Sequence, residues 1–192
     1  MPVRTFFAVD LDDAVLDRMA AVRDKLDDAA SKINWVAREN LHVTLNFLGD
    51  VPDDLLPQVL EIAAGAAGLV EPFDLEIAGV TATPPRGAPR MIWADVEDPT
   101  GRLATLHEQL DAGLSGLGLR QEERNYRPHI TLARIKYAAN PARLRSAAAE
   151  LADRDFGCQP VDELTAYSSE LTREGPIYTV MARSKLGQQL RC

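Results

Sequence analysis

His42-Val43-Thr44-Leu45 and, 87 residues further on, His129-Ile130-Thr131-Leu132 are the stretches on which the reading of this chain turns. Side chains on a strand alternate between faces, so His42 shares a face with Thr44, and His129 with Thr131. Val43, Leu45, Ile130 and Leu132 take the other face, where they can meet a core. Each motif therefore reads as a half-buried strand that presents an imidazole and a hydroxyl together.

The surroundings of the two motifs keep nearly the same offset, which points to an internal repeat. Phe7-Ala8-Val9-Asp10 reads as an apolar strand, and Trp93-Ala94-Asp95-Val96 follows it 86 positions later. A helical stretch comes next in both halves, with Val15, Met19, Val22 and Leu26 in the first and Leu103, Leu106, Leu110 and Leu114 in the second, at three-and-four spacing. The motif strands are predicted over Leu41 to Leu48 and His129 to Ile135. Second helices are predicted from Asp53 to about Ala67 and from Pro141 to about Ala152, the latter with Asn140 as N-cap and Pro141 in the first turn. Strands close each half over Phe73 to Val80 and Val161 to Ser168, and Met91 to Val96 finds a counterpart in Ile177 to Arg183. The pattern predicts one α+β domain of two internal repeats, roughly residues 3–82 and 90–170, with a C-terminal strand at about 176–184. Two similar lobes follow, and a pseudo-twofold relation between them would bring His42, Thr44, His129 and Thr131 to one cleft. The alternative is a single unrepeated domain. Thr83-Pro84-Pro85-Arg86-Gly87-Ala88-Pro89-Arg90 is the strongest loop signal, a connection or a flap near where one half gives way to the other.

Two imidazoles and two hydroxyls suit a phosphodiester. Its cleavage needs a base for the attacking oxygen, an acid for the leaving oxygen, and donors for charge on the non-bridging oxygens. Imidazole titrates near neutrality, so one ring can be neutral while the other is protonated. No metal or other cofactor is required. The bland reading of one such motif is a hydrogen-bonded strand histidine, and the pairing of two is what argues against it. His107, the third histidine, lies among Leu103, Leu106 and Leu110 without a motif and reads as structural.

The bulk properties narrow the partners. The 192 residues carry 21 basic and 29 acidic side chains, a net charge of −8, which argues against a protein held along a nucleic-acid backbone by a wide positive surface. Any nucleic-acid substrate would be gripped locally, and Arg86, Arg90 and Arg127 are candidates for that local charge, against the alternative of solvated surface arginines. Cys158 and Cys192 have no metal or redox spacing and read as incidental thiols. With no signal-like or membrane-spanning stretch, a cytoplasmic protein is expected. A monomer without an obligate protein partner is also expected, since the repeat already supplies the symmetry a dimer would bring.

Trp35-Val36 and Asn40-Leu41-His42-Val43-Thr44-Leu45-Asn46-Phe47-Leu48-Gly49, with Arg127-Pro128-His129-Ile130-Thr131-Leu132-Ala133-Arg134, resemble the two-histidine (2H) phosphoesterases. Within them the chain is similar to the bacterial and archaeal RNA 2',3'-cyclic phosphodiesterases, also called 2'-5' RNA ligase-like or LigT proteins. The resemblance runs from Arg4-Thr5-Phe6-Phe7-Ala8 to Ser169-Glu170-Leu171. It implies a bilobal fold whose antiparallel sheets line a shared cleft. It also implies hydrolysis of a terminal 2',3'-cyclic phosphate to a 2'-phosphate, on RNA ends or small nucleotides, with His42 as proton donor and His129 as proton acceptor. The same resemblance puts a phosphate-contacting arginine at Arg134, beside Thr44 and Thr131. Plain alternation would turn Arg134, five residues after His129, to the opposite face, so that role needs a bulge, a twist or the end of the strand; a surface ion pair is the alternative. The matching position in the first half is Phe47, which can stack a base if it lines the cleft or else packs in the core.

Three other functions compete. A metallohydrolase would use the histidines as ligands, but neither motif has helical His spacing or an acidic residue within it. A binding module would hold a nucleotide or RNA end without turnover. The same chemistry can also serve 2'-5' RNA ligation or the cyclic phosphate of ADP-ribose, because the motif residues address the phosphate and not the rest of the molecule. The residues leave open which ester oxygen departs.

Overall fold

Apolar alternation and helical spacing fix most of the elements, and a few local signals decide their ends. The computed structural model describes residues 1–26, 31–119, 126–173 and 175–188; Cys192 lies outside the described residues. Strand β1 (Val3–Val9) leads into α1 (Asp13–Ala20) and α2 (Arg23–Leu26). The single helix expected there is broken, because Val22 N–H bonds back to Met19 three residues earlier and tightens the turn. Val15, Met19, Val22 and Leu26 are nevertheless all buried. The short β2 (Lys32–Trp35), which the periodicity does not reveal, precedes β3 (Val43–Val51).

Helix α3 (Leu56–Gly68) begins later than the expected Asp53. Pro57 lacks an N–H and belongs in a first turn, so the helix starts around it. Then come β4 (Phe73–Thr83), β5 (Met91–Glu97) and α4 (Arg102–Leu114). At the start of α4 the Asp98 carboxylate accepts from the N–H groups of Leu103 (2.9 Å) and Ala104 (3.2 Å). Strand β6 (His129–Tyr137) and α5 (Pro141–Ala149) follow, with the Asn140 side chain accepting from Arg143 N–H at 3.0 Å as an N-cap. The strand expected over Val161 to Ser168 is two strands, β7 (Asp155–Val161) and β8 (Glu163–Leu171), and β9 (Pro176–Lys185) closes the described chain.

The fold is α+β, with antiparallel strands in the order β7-β4-β5-β6-β3-β1-β8-β9 and β2 attached to β6. Two lobes are evident. One is β3-β1-β8-β9 and the other β6-β5-β4-β7, and they join where β3 meets β6 at the single registered pair Val43 and Ile130. The helices and the sheet share one core, in which Phe7, Val9, Leu45, Ile92, Ala94, Leu106, Leu110 and Ile130 are buried.

The sheet order revises one correspondence, that of the Met91 strand with the Ile177 strand, and keeps that of the Phe7 strand with the Trp93 strand. By position, β9 answers to β7 and not to β5, since each is the outermost strand of its lobe; β5 answers to β1. In addition, the last strand of each half crosses over, with β4 joining the second lobe and β8 the first. Among the described residues no helix is long and apolar enough to cross a membrane.

Candidate active site

The Val43–Ile130 pair is the origin of the site. Both side chains are fully buried, so their neighbours on either side face the cleft. Antiparallel registration carries His42 beside Thr131 and Thr44 beside His129. His42 stands just before β3, while His129 is the first residue of β6.

The two rings are held alike. His42 Nδ1 lies 2.8 Å from the carbonyl of Asn40, and His129 Nδ1 lies 2.9 Å from the carbonyl of Arg127, in each case two residues back. A carbonyl only accepts, so each Nδ1 carries its hydrogen and proton exchange falls to Nε2. His42 Nε2 is 2.9 Å from Thr44 Oγ1. The two anchoring residues are tethered in turn. Asn40 Nδ2 donates to the Pro176 carbonyl (3.2 Å), and Arg127 Nη2 donates to Asp95 Oδ1 (2.9 Å).

Aromatic rings wall both imidazoles. Phe6 stacks on His42 with centroids 5.0 Å apart, and Tyr178 meets it edge-on at 5.6 Å. Trp93 stacks on His129 at 3.9 Å. Burial pushes the His42 imidazole below the ordinary histidine value; the Asn40 carbonyl and the Asp10 charge oppose this, and the nearby His129 adds to it.

Arg134 meets the condition its expected role requires. Met91 and Ile92 of β5 stand opposite Arg134 and Ala133, but Trp93 stands opposite Thr131, so β6 carries an extra residue at this point. Leu132 and Ala133 are both buried, and Arg134 returns to the face of His129 and Thr131. It has no carboxylate partner among the described residues; its contact is Met91 Sδ at 4.0 Å.

β3 repeats the device. A register shift between Phe7 and Ala8 of β1 leaves Leu45 and Asn46 both buried and turns Phe47 to the cleft side. Phe47 is therefore not a core residue, and the Arg4 guanidinium lies 4.6 Å over its ring.

The remaining arginines divide. Arg127 is paired with Asp95, so its charge is compensated. Arg86 and Arg90 are exposed in the loop joining β4 to β5, which Arg145 anchors through the carbonyls of Pro84 (2.7 Å) and Gly87 (2.5 Å). That anchoring makes the segment a pinned hairpin connection.

Several residues of the site escape motif reading. His107 Nδ1 donates to the Leu45 carbonyl (3.1 Å) and stacks on Tyr126 (4.2 Å), whose hydroxyl donates to the Thr44 carbonyl (3.1 Å). Asp111 lies 3.3 Å from His107 Nε2 and accepts from Asn46 Nδ2 at 2.5 Å. The third histidine thus braces the first motif's bulge from α4.

Asp10 and Asp95 escape it as well. Asp10 accepts from Tyr167 OH (2.6 Å), Thr165 Oγ1 (3.0 Å) and Arg183 (3.0 Å), and Asp95 accepts from Thr81 Oγ1 (2.6 Å) besides Arg127. They occupy equivalent places, because Ala8 stands opposite Thr44 and Trp93 opposite Thr131, an offset of 85. The offset of 86 seen in the sequence is one residue out, and such a slip moves every side chain to the wrong face. Among the described residues no group of three or more His, Cys, Asp or Glu is arranged to hold a metal ion.

Comparison with known proteins finds relatives along nearly the whole chain. A family model described as the 2'-5' RNA ligase superfamily matches residues 11–173. The RNA 2',3'-cyclic phosphodiesterase of Methanothermobacter thermautotrophicus is 36% identical over 94% of this chain and 97% of its own. That of Thermotoga maritima is 34% identical over 93% of both chains. Among solved structures, the TT0787 protein of Thermus thermophilus superposes with a TM-score of 0.83 at 30% identity, covering 97% of this chain and all of that one. E. coli LigT complexed with 3'-AMP gives 0.80 at 27%, covering 98% of this chain and all of that one.

Proposed function

The chain belongs to the 2'-5' RNA ligase superfamily, and from that premise we propose that it is an RNA 2',3'-cyclic phosphodiesterase acting on RNA ends or small nucleotides. One observation carries the reading: the two His-x-Thr pairs meet at the Val43–Ile130 contact with both imidazoles anchored through Nδ1.

In the proposed reaction, His129 Nε2 takes a proton from water as the water oxygen bonds to phosphorus. Protonated His42 Nε2 delivers a proton to the departing 3'-oxygen as the P–O3' bond breaks. The phosphate stays on the 2'-oxygen as a monoester. The Thr44 and Thr131 hydroxyls and the Arg134 guanidinium donate to the non-bridging oxygens, where charge builds in the transition state. Two proton-transfer groups and three donors complete the chemistry without a metal-dependent step. Phe47, capped by Arg4, offers a base arriving at that end of the cleft a guanidinium–phenyl pair to stack on.

Burial of His42 works against a proton donor, which must hold its proton at the working pH. The anionic phosphate beside Nε2 restores what burial removes. The test is hydrolysis of a nucleoside 2',3'-cyclic phosphate followed by phosphorus NMR, with metal chelated throughout. The expected product is the 2'-phosphate. His42→Ala and His129→Ala should each lower turnover by about 10² to 10⁴ while leaving the circular dichroism spectrum unchanged. Near wild-type turnover in either folded variant defeats the two-histidine mechanism.

A further inference from the structure

We propose that Arg4 is a second phosphate-binding group of the cleft, which takes the phosphodiester on the 5' side of the terminal nucleotide and so selects RNA ends over mononucleotides. The proposal rests on the phosphodiesterase reading above and extends it to the length of the substrate.

Arg4 lies on β1 two residues before Phe6, on the strand face that carries the ring stacked on His42. Its cross-strand neighbour is Asp50, yet the two form no ion pair; the guanidinium turns to Phe47 instead. Among the described residues three arginines are held by carboxylates, so what marks Arg4 is its place on the cleft face and not the lack of a partner alone. Arg38 is paired with Asp13 and Asp17, Arg127 with Asp95, and Arg183 with Asp10 and Glu163. Arg4 and Arg134 stand on the cleft face without a carboxylate partner among the described residues.

The two charges border the same place. Burial pushes the Tyr178 phenol up, and Arg134 and Arg4 both pull it the other way. In the geometry, Arg4 lies over Phe47, which stands opposite Phe6, and Phe6 is stacked on His42 and edge-on to Tyr178, so Arg4 sits on the rim of the reaction centre. The two guanidinium groups enter from different strands. Arg134 follows the bulge of β6; the equivalent place in β3 holds Phe47, and Arg4 of β1 supplies the charge there.

A cyclic phosphodiester carries one negative charge, already met by Arg134 and the two threonine hydroxyls. A second uncompensated guanidinium exceeds what that anion needs, and an RNA end offers a second phosphate. Stacking on Phe47 uses the face of the guanidinium and leaves its in-plane N–H groups for phosphate oxygens.

The experiment measures kcat/KM of the full chain on cytidine 2',3'-cyclic phosphate and on the dinucleotide CpC ending in a 2',3'-cyclic phosphate, for wild type, Arg4→Gln, Arg4→Lys and Arg134→Gln. Wild type should favour the dinucleotide by about tenfold, the order expected of one charge-assisted contact. Arg4→Gln should collapse that ratio, chiefly through KM, and Arg4→Lys should keep part of it. Arg134→Gln should lower both substrates and preserve the ratio. For the dinucleotide, the slope of log kcat/KM against log salt should flatten by about 0.7 in Arg4→Gln, as loss of one single-strand phosphate contact requires.

Equal losses on both substrates in Arg4→Gln would overturn the proposal, placing Arg4 at the reacting phosphate or in the fold. So would a wild type indifferent to length. A wild type that hydrolyses neither substrate overturns the phosphodiesterase reading itself, and the second phosphate site with it.

Discussion

Burial of His42 between Phe6, Tyr167 and Tyr178 bears directly on the pH dependence of the reaction. A proton donor with a lowered pKa is lost as pH rises through that value, so the alkaline limb of kcat/KM, which reports the free enzyme, should lie below the unperturbed histidine value of about 6.5. With substrate bound, the phosphate charge opposes burial, and the alkaline limb of kcat should move to higher pH. Asp10→Asn removes a charge that favours protonated His42 and should lower the kcat/KM limb further. Alkaline limbs that coincide in kcat and kcat/KM at or above the ordinary value would show that His42 is not the buried donor. His42, Thr44, His129 and Thr131 are legible in the sequence because alternation alone assigns their face. Phe6, Trp93, Asp10 and Asp95 are not, because their place depends on which residue of a neighbouring strand stands opposite.

The motif strands are shaped by their bulges, and a bulge needs support. β3 pairs with β6 only at Val43, so beyond that pair its far edge has no strand among the described residues to satisfy it. His107 and Tyr126 donate to the carbonyls of Leu45 and Thr44 there. An unmet buried carbonyl costs about 1 to 3 kcal/mol. Tyr126→Phe and His107→Leu should therefore each lower stability by about 1 kcal/mol or more in urea unfolding. They should also lower kcat more than they raise KM, because Thr44 loses its setting. His107→Asn keeps a donor near the Nδ1 position and should recover part of both losses. A full loss of stability with kcat unchanged would make the brace structural only. Helical periodicity correctly makes His107 a residue of α4; what it touches lies 62 residues away in the chain, beyond the reach of any local pattern.

Across the whole molecule, the halves of the chain are not its lobes. β4 crosses to β5 and β7, and β8 crosses to β1, so each half completes the other's sheet. Residues 1–90 expressed alone should show no cooperative unfolding, because β4 would lack both neighbours; mixing with residues 91–192 should restore strand signal and amide protection. A cooperative transition in the first fragment by itself would show that the exchange is dispensable. The expected α+β class, the helices α4 and α5 and the cleft-facing pairs of histidine and threonine followed from the sequence, because periodicity is a property of neighbouring residues. The turn of Arg134 and Phe47 toward the cleft, the equivalence of Asp10 with Asp95 and the pairing of β9 with β8 were decided by tertiary structure. Register, bulges and strand order are set by contacts between residues distant in the chain, and a slip of one residue between strands exchanges the core face for the cleft.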